Sequence, residues 1–470
     1  MPMKINTKQN VWLPLVLAAA LLSSLNTDAA TLTVTSTADS GPGTLRAALA
    51  NASNGDTIDT TGVSGTILLT SGELLVSNSV TIIGPGPTHL AVDGNATSRV
   101  FHITNAISAL IAGLTITNGS ATAPFPGSFG GGTYNDRSAL TVSNCGISGN
   151  SAASGGGGMY NSHSTLTVVN CNVSGNSALG GYGGGIYNDG SGSHATLIVF
   201  SSTLSSNSAF DGGGIFNNGE SSGTGTVNVT NSTFSSNSAS DGGGIWNDGS
   251  ASGTANLAVS ASTFNGNSAD IGASLLNDGA GATLDIGDTI LNVSGVGGAN
   301  IYNIVGPVNS HGYNLCSDSG AGFFTNATDQ INTNPMLGPL QDNGGPTFTH
   351  ALLPGSPAID NGKSFGVTTD QRSAPRPFDF SNIANASSGD GSDIGAFELG
   401  SPSLNFQQVG NNAVLSWPSY YGDFNLQSST NIASSNSWIT ADGSRAVVGS
   451  QYQQTNNPIS GSKFFRLKQQ

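Results

Sequence analysis

The sequence predicts an all-β fold: a right-handed parallel β-helix (solenoid) with an N-terminal cap helix, followed by a small C-terminal β-sandwich. Three observations carry this. A Gly-rich motif ending in Asn recurs with its Asn at 135, 161, 188, 217, 247, 277 and 303, so successive steps run from 26 to 30 residues. Between these motifs lie short runs of alternating apolar and polar residues, such as Leu140-Val142 and Leu166-Val168, the mark of strands with one buried face. The composition also suits stacked turns rather than helices, with 67 Gly, 8% charged residues and yet 36% hydrophobic ones. A unit of this size cannot bury its own apolar side, whereas a stack of such units can.

Lys4 and Lys8 precede an apolar run from Val11 to Leu25, interrupted by Pro14, and small residues follow at Thr27, Ala29 and Ala30. This order reads as a secretory signal peptide over residues 1–30, cut after Ala29 or Ala30. The run falls short of the ~20 residues of a membrane span; an uncleaved anchor is the competing reading. No Cys marks the cut, so a lipoprotein is not expected. The mature chain is expected to have no transmembrane span.

Residues 31–109 read as the N-terminal cap and first coils. Thr31 to Ser36 alternates as a strand, Asp39 to Gly43 turns, and Thr44 to Ala52 forms a short amphipathic helix with Leu45, Ala48 and Leu49 on its apolar face. Arg46 is expected to pair with Asp39 or Asp56. This stretch resembles the DSGxGSLRxAIxxANxGDTI opening found before β-helix repeats in exported bacterial proteins, where the helix plugs the first coil.

Residues 110–330 read as the β-helix repeats. Copies such as GGGMYNS at Gly156, GGGIFNN at Gly212 and GGGIWND at Gly242 alternate with NCGISGNSA at Asn144, SSTLSSNSA at Ser201 and NSTFSSNSA at Asn231. Stacking places Ile147, Val173, Leu204, Phe234 and Phe264 in one inward column. Tyr134, Tyr160, Tyr187, Phe216 and Trp246 form an aromatic column beside them, and the recurring Asn form amide ladders. The right hand follows from the crossover preference of parallel strands. These repeats resemble those of polymorphic outer-membrane-protein-like and autotransporter-like passenger β-helices over residues 110 to 305. The barrel strands of an autotransporter do not follow, which argues against self-transport; outer-membrane association remains an expectation of the resemblance.

Residues 331–400 change character: NPMLGPLQDNGGPTFTHALLPGSPAIDNG from Asn334, TDQRSAPRP from Thr369 and DGSDIGAFEL from Asp390. Pro and Gly impose turns here. Asp360, Asp370, Arg372, Arg376, Asp393 and Glu398 suggest a C-terminal cap held by internal ion pairs. The segment resembles the choice-of-anchor type Q region that follows β-helices in bacterial surface proteins. Residues 401–470 carry short strands spaced as in a β-sandwich, with Trp417 and Trp438 as expected core anchors; the module resembles one found on secreted bacterial proteins that ends in FxRLK.

Charge narrows the function. With 12 Lys+Arg against 27 Asp+Glu, the net charge of -15 argues against nucleic acid and anionic lipid. From Thr31 to Gln330 there is no Lys, and the only Arg are Arg46, Arg99 and Arg137. Parallel β-helices also host polysaccharide lyases and glycoside hydrolases, but lyase chemistry needs cations and hydrolysis needs a carboxylate pair at roughly 5–9.5 Å. Asp136, Asp189, Asp248 and Asp278 recur with the coil as structural residues do, and His102, His163, His194 and His311 are scattered. No catalytic, cofactor-binding or metal residue is assigned. Asp189, Asp248 and Asp278 share one corner and Asp211 and Asp241 another; solvated turn Asp is the plain reading, Ca²⁺ the sharper one. Cys145 and Cys171 fall one coil apart, within disulfide range, and a thiol pair and a disulfide remain open; Cys316 stands alone. The expected function is a secreted or cell-surface monomer that binds polysaccharide or matrix components without catalysis, as an adhesin or structural protein. The alternatives are a β-helix carbohydrate-active enzyme and a carbohydrate-binding rod with exposed aromatic rows.

Overall fold

The computed structural model describes residues 29–122, 124, 127–293, 298–410, 412–418, 421, 424–433, 435–449, 451–456 and 462–469. The signal-peptide expectation covers residues 1–30 and, apart from Ala29 and Ala30, lies outside the described residues. From Thr31 to Cys316 the chain winds into a parallel β-solenoid of about 10 turns. One coil shows how. Thr133–Asp136 belongs to a first sheet, Ala139–Ser143 to a second, Gly146–Ser148 to a third and Ser151–Ala152 to a short fourth, before Met159–Ser162 returns to the first. The first three sheets have 9, 11 and 10 strands, and the fourth has 4. Among the described residues no helix is long and apolar enough to cross a membrane.

Alternation within each strand sends every second side chain into the lumen. In the first sheet Met159, Ile186, Ile215, Ile245 and Leu275 point inward and join the main core. The third sheet contributes the expected column of Ile147, Val173, Leu204, Phe234 and Phe264, all fully buried and in register. Phe234 and Phe264 stack face to face at 4.5 Å. Each such side chain contributes ~1.5–3 kcal/mol by leaving water. The aromatic column, however, is not beside this one. Tyr134, Tyr160, Tyr187 and Phe216 alternate with the inward Ile and Met, so they project from the outer face of the first sheet and form a separate cluster.

Two amide ladders run the length of the repeats. Asn135, Asn161, Asn188, Asn217, Asn247 and Asn277 each pass Nδ2 to the Oδ1 of the next Asn at 2.7–2.8 Å. Asn150, Asn176, Asn207 and Asn237 do the same at 2.9 Å toward Asn267. Close coil contact explains the Gly runs. A Cβ on Gly213 would stand 2.6 Å from the carbonyl oxygens of Gly243 and Ser238. Gly212 has a φ of +66° and faces the Phe216 Cβ, so neither position accepts a side chain.

The N-terminal helix α1 (Leu45–Asn51) starts at Thr44, whose hydroxyl accepts from Ala47 N, and buries Leu45, Ala48 and Leu49. Arg46 pairs with Asp39 at 2.6 Å, as expected. Residues of the 331–400 segment lie along the outside of the third sheet. Thr203 donates to Phe348 O, Thr233 to Gln371 Oε1, and Ala396 N donates to Thr263 Oγ1. These three Thr are equivalent outward positions on consecutive coils. Buried His350 reaches Ser235 Oγ at 3.0 Å in the same interface. Beyond lie small antiparallel sheets of 4 and 3 strands. Trp417 is fully buried there, but Trp438 is only half-buried, under Arg466 at 4.3 Å, so it is a surface stack rather than a core anchor.

Candidate functional site

The outer face of the first sheet gathers most of the chemistry. Its strands from Met159–Ser162 to Ile245–Asp248 present, in order, an inward apolar residue, an outward aromatic, an inward Asn and an outward polar residue. The outward column runs His102, Tyr134, Tyr160, Tyr187, Phe216, Trp246, Leu276, Tyr302. Ring centroids from Tyr134 to Trp246 are 5.1–5.3 Å apart, and His102 lies parallel to Tyr134 at 4.9 Å. An exposed aromatic row was one expectation; the structure overturns it for most of the column. Tyr134, Tyr160, Tyr187 and Phe216 are 3–7% exposed, because the segments carrying Phe129 and Tyr182 fold across them. The cover by Tyr182 reaches Phe216, and Trp246, the next ring of the column, is half-buried.

Asp136, Asp189, Asp248 and Asp278 follow the aromatic column on one side, in register with Ser162 and Asn218. Asp211 and Asp241 pair as stacked neighbours on the other side, before the Gly run. Their roles differ. Asp189 is saturated: it accepts from Tyr160 Oη at 2.6 Å, from Ser191 Oγ at 2.6 Å and from Asn218 Nδ2 at 3.3 Å. Burial, then the Asp189 charge, pushes the Tyr160 phenol far up, so it stays a donor. Asp248 accepts from Ser250 N, and Ser250 Oγ donates to Glu220. Asp211 is 5% exposed and its Oδ1 is buried without a hydrogen-bond partner. Burial, then the charges of Asp241 and Asp248, lifts Asp211 to about 7. Burial also raises Asp248, Asp241 and Asp278; Asp270 adds to Asp241, and Glu220 to both Asp248 and Asp278. Among the described residues no cation forms an ion pair with Asp189, Asp211, Asp241, Asp248 or Asp278, and only Asp136 has one, with Arg137; no group of three potential ligands there is placed to hold a metal ion.

The cations are elsewhere and mostly engaged. Arg99 is 6% exposed, 2.7 Å from Glu73, and donates to the carbonyls of Phe129 and Gly130. Its guanidinium covers Tyr134 at 4.9 Å. His102 meets Glu73 at 3.0 Å in the same network, and His311 meets Asp285 at 3.0 Å. Arg137 is 72% exposed and only 4.0 Å from Asp136. With His163 and His194 it lines a shallow groove of ≈ 330 Å³ at the corner between the first and second sheets. The structure therefore unites two of the four scattered His with Arg137, which sequence spacing did not suggest. His163 is engaged there by Ser162 Oγ and Ser191 O. A second cavity of ≈ 250 Å³, between Pro354 and Tyr421, is lined by no titratable side chain except that Tyr.

Cys145 and Cys171 are free thiols, fully enclosed. They head a column of small polar side chains: Cys145 N meets Cys171 Sγ at 3.4 Å, Cys171 N donates to Ser202 Oγ, Ser202 N to Ser232 Oγ and Ser232 N to Ser262 Oγ. Each thiol stands where later coils place a serine. Cys316 is also a buried free thiol, and donates to Asp318.

No family model, curated protein or solved structure matches this chain.

Proposed function

We propose that this chain is an exported bacterial protein, secreted or held at the cell surface, whose solenoid binds glycan or matrix material without turning it over. The observation that carries this is the disposition of charge on the first sheet. Its carboxylates stand in two coil-periodic rows, and Arg46 and Arg99 are committed to Asp39 and Glu73. A glycosidase needs its acid and its nucleophile or base on opposite sides of the scissile bond. Stacked neighbours such as Asp211 and Asp241 present both carboxyls from the same side. A lyase needs a cation beside an acidic sugar, and the acidic rows have one only at their N-terminal end, where Arg137 stands 4.0 Å from Asp136. The resemblance of residues 110–305 to surface-protein passengers, and of residues 331–400 to a choice-of-anchor region, supports display outside the cell.

The alternative is a β-helix carbohydrate-active enzyme, a polysaccharide lyase or glycoside hydrolase. One observation favours it: Asp211 holds a proton near neutrality, lifted by burial and by the charges of Asp241 and Asp248. A glycan-array screen of the purified chain, followed by reducing-end and unsaturated-product assays on each ligand found, separates the two. Binding without product is expected. Product formation would establish the enzyme.

A further inference from the structure

The two Asp rows and the aromatic column converge at one place. Gly242 has a φ of +62° and lies directly beneath the Trp246 Cβ, as Gly212 lies beneath Phe216. The residues just before these glycines, Asp211 and Asp241, stack on consecutive coils, and the charge of Asp248 reaches Asp211. On the other flank, two residues past Trp246, stands Asp248, 6% exposed. Phe216 and Trp246 meet edge to face at 5.3 Å, and Tyr182 stacks on Phe216 at 4.8 Å while remaining 42% exposed. The result is an aromatic floor walled by carboxylates on both sides, at the point where the cover over the column ends.

Two polar atoms there are buried and unpartnered, and they are of opposite sense. Asp211 Oδ1 is an acceptor without a donor, on a side chain that is 95% enclosed, and Trp246 Nε1 is a donor without an acceptor. Buried polar groups are nearly always satisfied, and an orphan calls for an explanation. Water alone would serve a small gap, but an aromatic floor beside it is the usual composition of a sugar site: apolar faces for the ring C–H surface and a few fixed polar groups for the edge. No cation forms an ion pair with Asp211, Asp241 or Asp248 among the described residues, so the negative charge these carboxyls carry when ionised repels an anionic sugar.

Resting on the glycan-binding reading above, we infer that Asp211, Trp246 and Asp248 form a subsite for a pyranose that donates hydrogen bonds and carries no anion. A hydroxyl or an ammonium group supplies the proton to Asp211 Oδ1, a ring or hydroxyl oxygen accepts from Trp246 Nε1, and the sugar face lies on Trp246 and Tyr182.

The test measures binding of three hexasaccharides to the full chain by calorimetry: a β-glucan, a glucosamine oligomer and an oligogalacturonate. The glucan, the glucosamine oligomer or both should bind, and the oligogalacturonate should not. Salt distinguishes the sources, since only ammonium recognition weakens with ionic strength. Asp211→Ala should weaken binding by about tenfold, the size of one lost charge-assisted hydrogen bond. Trp246→Phe keeps the ring and removes only the N–H, and should weaken it by several-fold; Asp136→Ala, on the same face but outside the floor, should leave it unchanged. Thermal melts of each variant confirm that the fold is retained. Binding that survives both Asp211→Ala and Trp246→Phe would overturn the subsite and leave the glycan-binding reading standing. Preference for the oligogalacturonate would also overturn it. If no saccharide on the array binds, both fall.

Discussion

Arg376 Nε donates to Glu398 Oε2 at 2.8 Å, and neither side chain has any exposed surface. The same guanidinium lies 3.8 Å from Asp288, on the solenoid, and donates to the carbonyls of Asp393 and Gly395. One arginine thus ties the flanking segment to the last coils. Burial lowers its affinity for a proton, but Glu398 and Asp288 more than offset this, so it stays charged.

Arg376→Ala is expected to destabilise the fold by about 3–5 kcal/mol, because it leaves the buried Glu398 carboxyl without the partner it contacts directly. Urea denaturation at pH 7 measures this. Adding Glu398→Gln to the Arg376→Ala chain should recover part of the loss; an unchanged midpoint for the single variant would show that the pair does not hold the flank.

The pH dependence has a definite sign. Asp211 binds its proton up to about 7 in the fold but only to the ordinary carboxylate range when unfolded. Between those limits the folded state holds more protons, so stability falls as pH rises through the window. Asp211→Asn should therefore raise the melting temperature at pH 8 and change it little at pH 4. Equal effects at both pH values would mean that Asp211 titrates normally.

Cys145→Ser and Cys171→Ser should each change stability by no more than about 1 kcal/mol, since serine already fills the same column at 202, 232 and 262. Reductant should leave the melting temperature of the parent chain unchanged, and a thiol reagent should react only on unfolding. Loss of stability on reduction would reveal a disulfide.

Gly213→Ala is expected to cost about 1–3 kcal/mol or more, because its Cβ would meet two carbonyl oxygens of the next coil at 2.6 Å. Gly175→Ala is the comparison: its φ is +61° but nothing lies within 4 Å of a Cβ there, so only backbone strain opposes it. Calorimetric melts of the two variants should rank Gly213→Ala as the more damaging.

Much of the architecture was legible in the chain because the repeats are local. Alternation sets which face of a strand is buried, and the period sets which residues stack, so the Ile147–Phe264 column and the Asn ladders follow from spacing and residue type, whereas the choice of Asp39 over Asp56 as the partner of Arg46 came from the structure. The candidate site was half legible. Its two Asp rows and its aromatic column are visible as repeats, yet nothing in their spacing says that Asp211 and Asp248 flank the same rings.

What only the tertiary structure decided depends on segments far apart in sequence. The aromatic column is covered because Phe129 and Tyr182 cross it, and open at Trp246 because that cover stops. Arg137, His163 and His194 meet because their coils stack. Residues 331–400 lie along the third sheet because outward Thr203, Thr233 and Thr263 offer hydroxyls to Phe348, Gln371 and Ala396. A strand's period determines which side of it faces the lumen; what comes to rest on the other side is set by long-range packing, which no local pattern records.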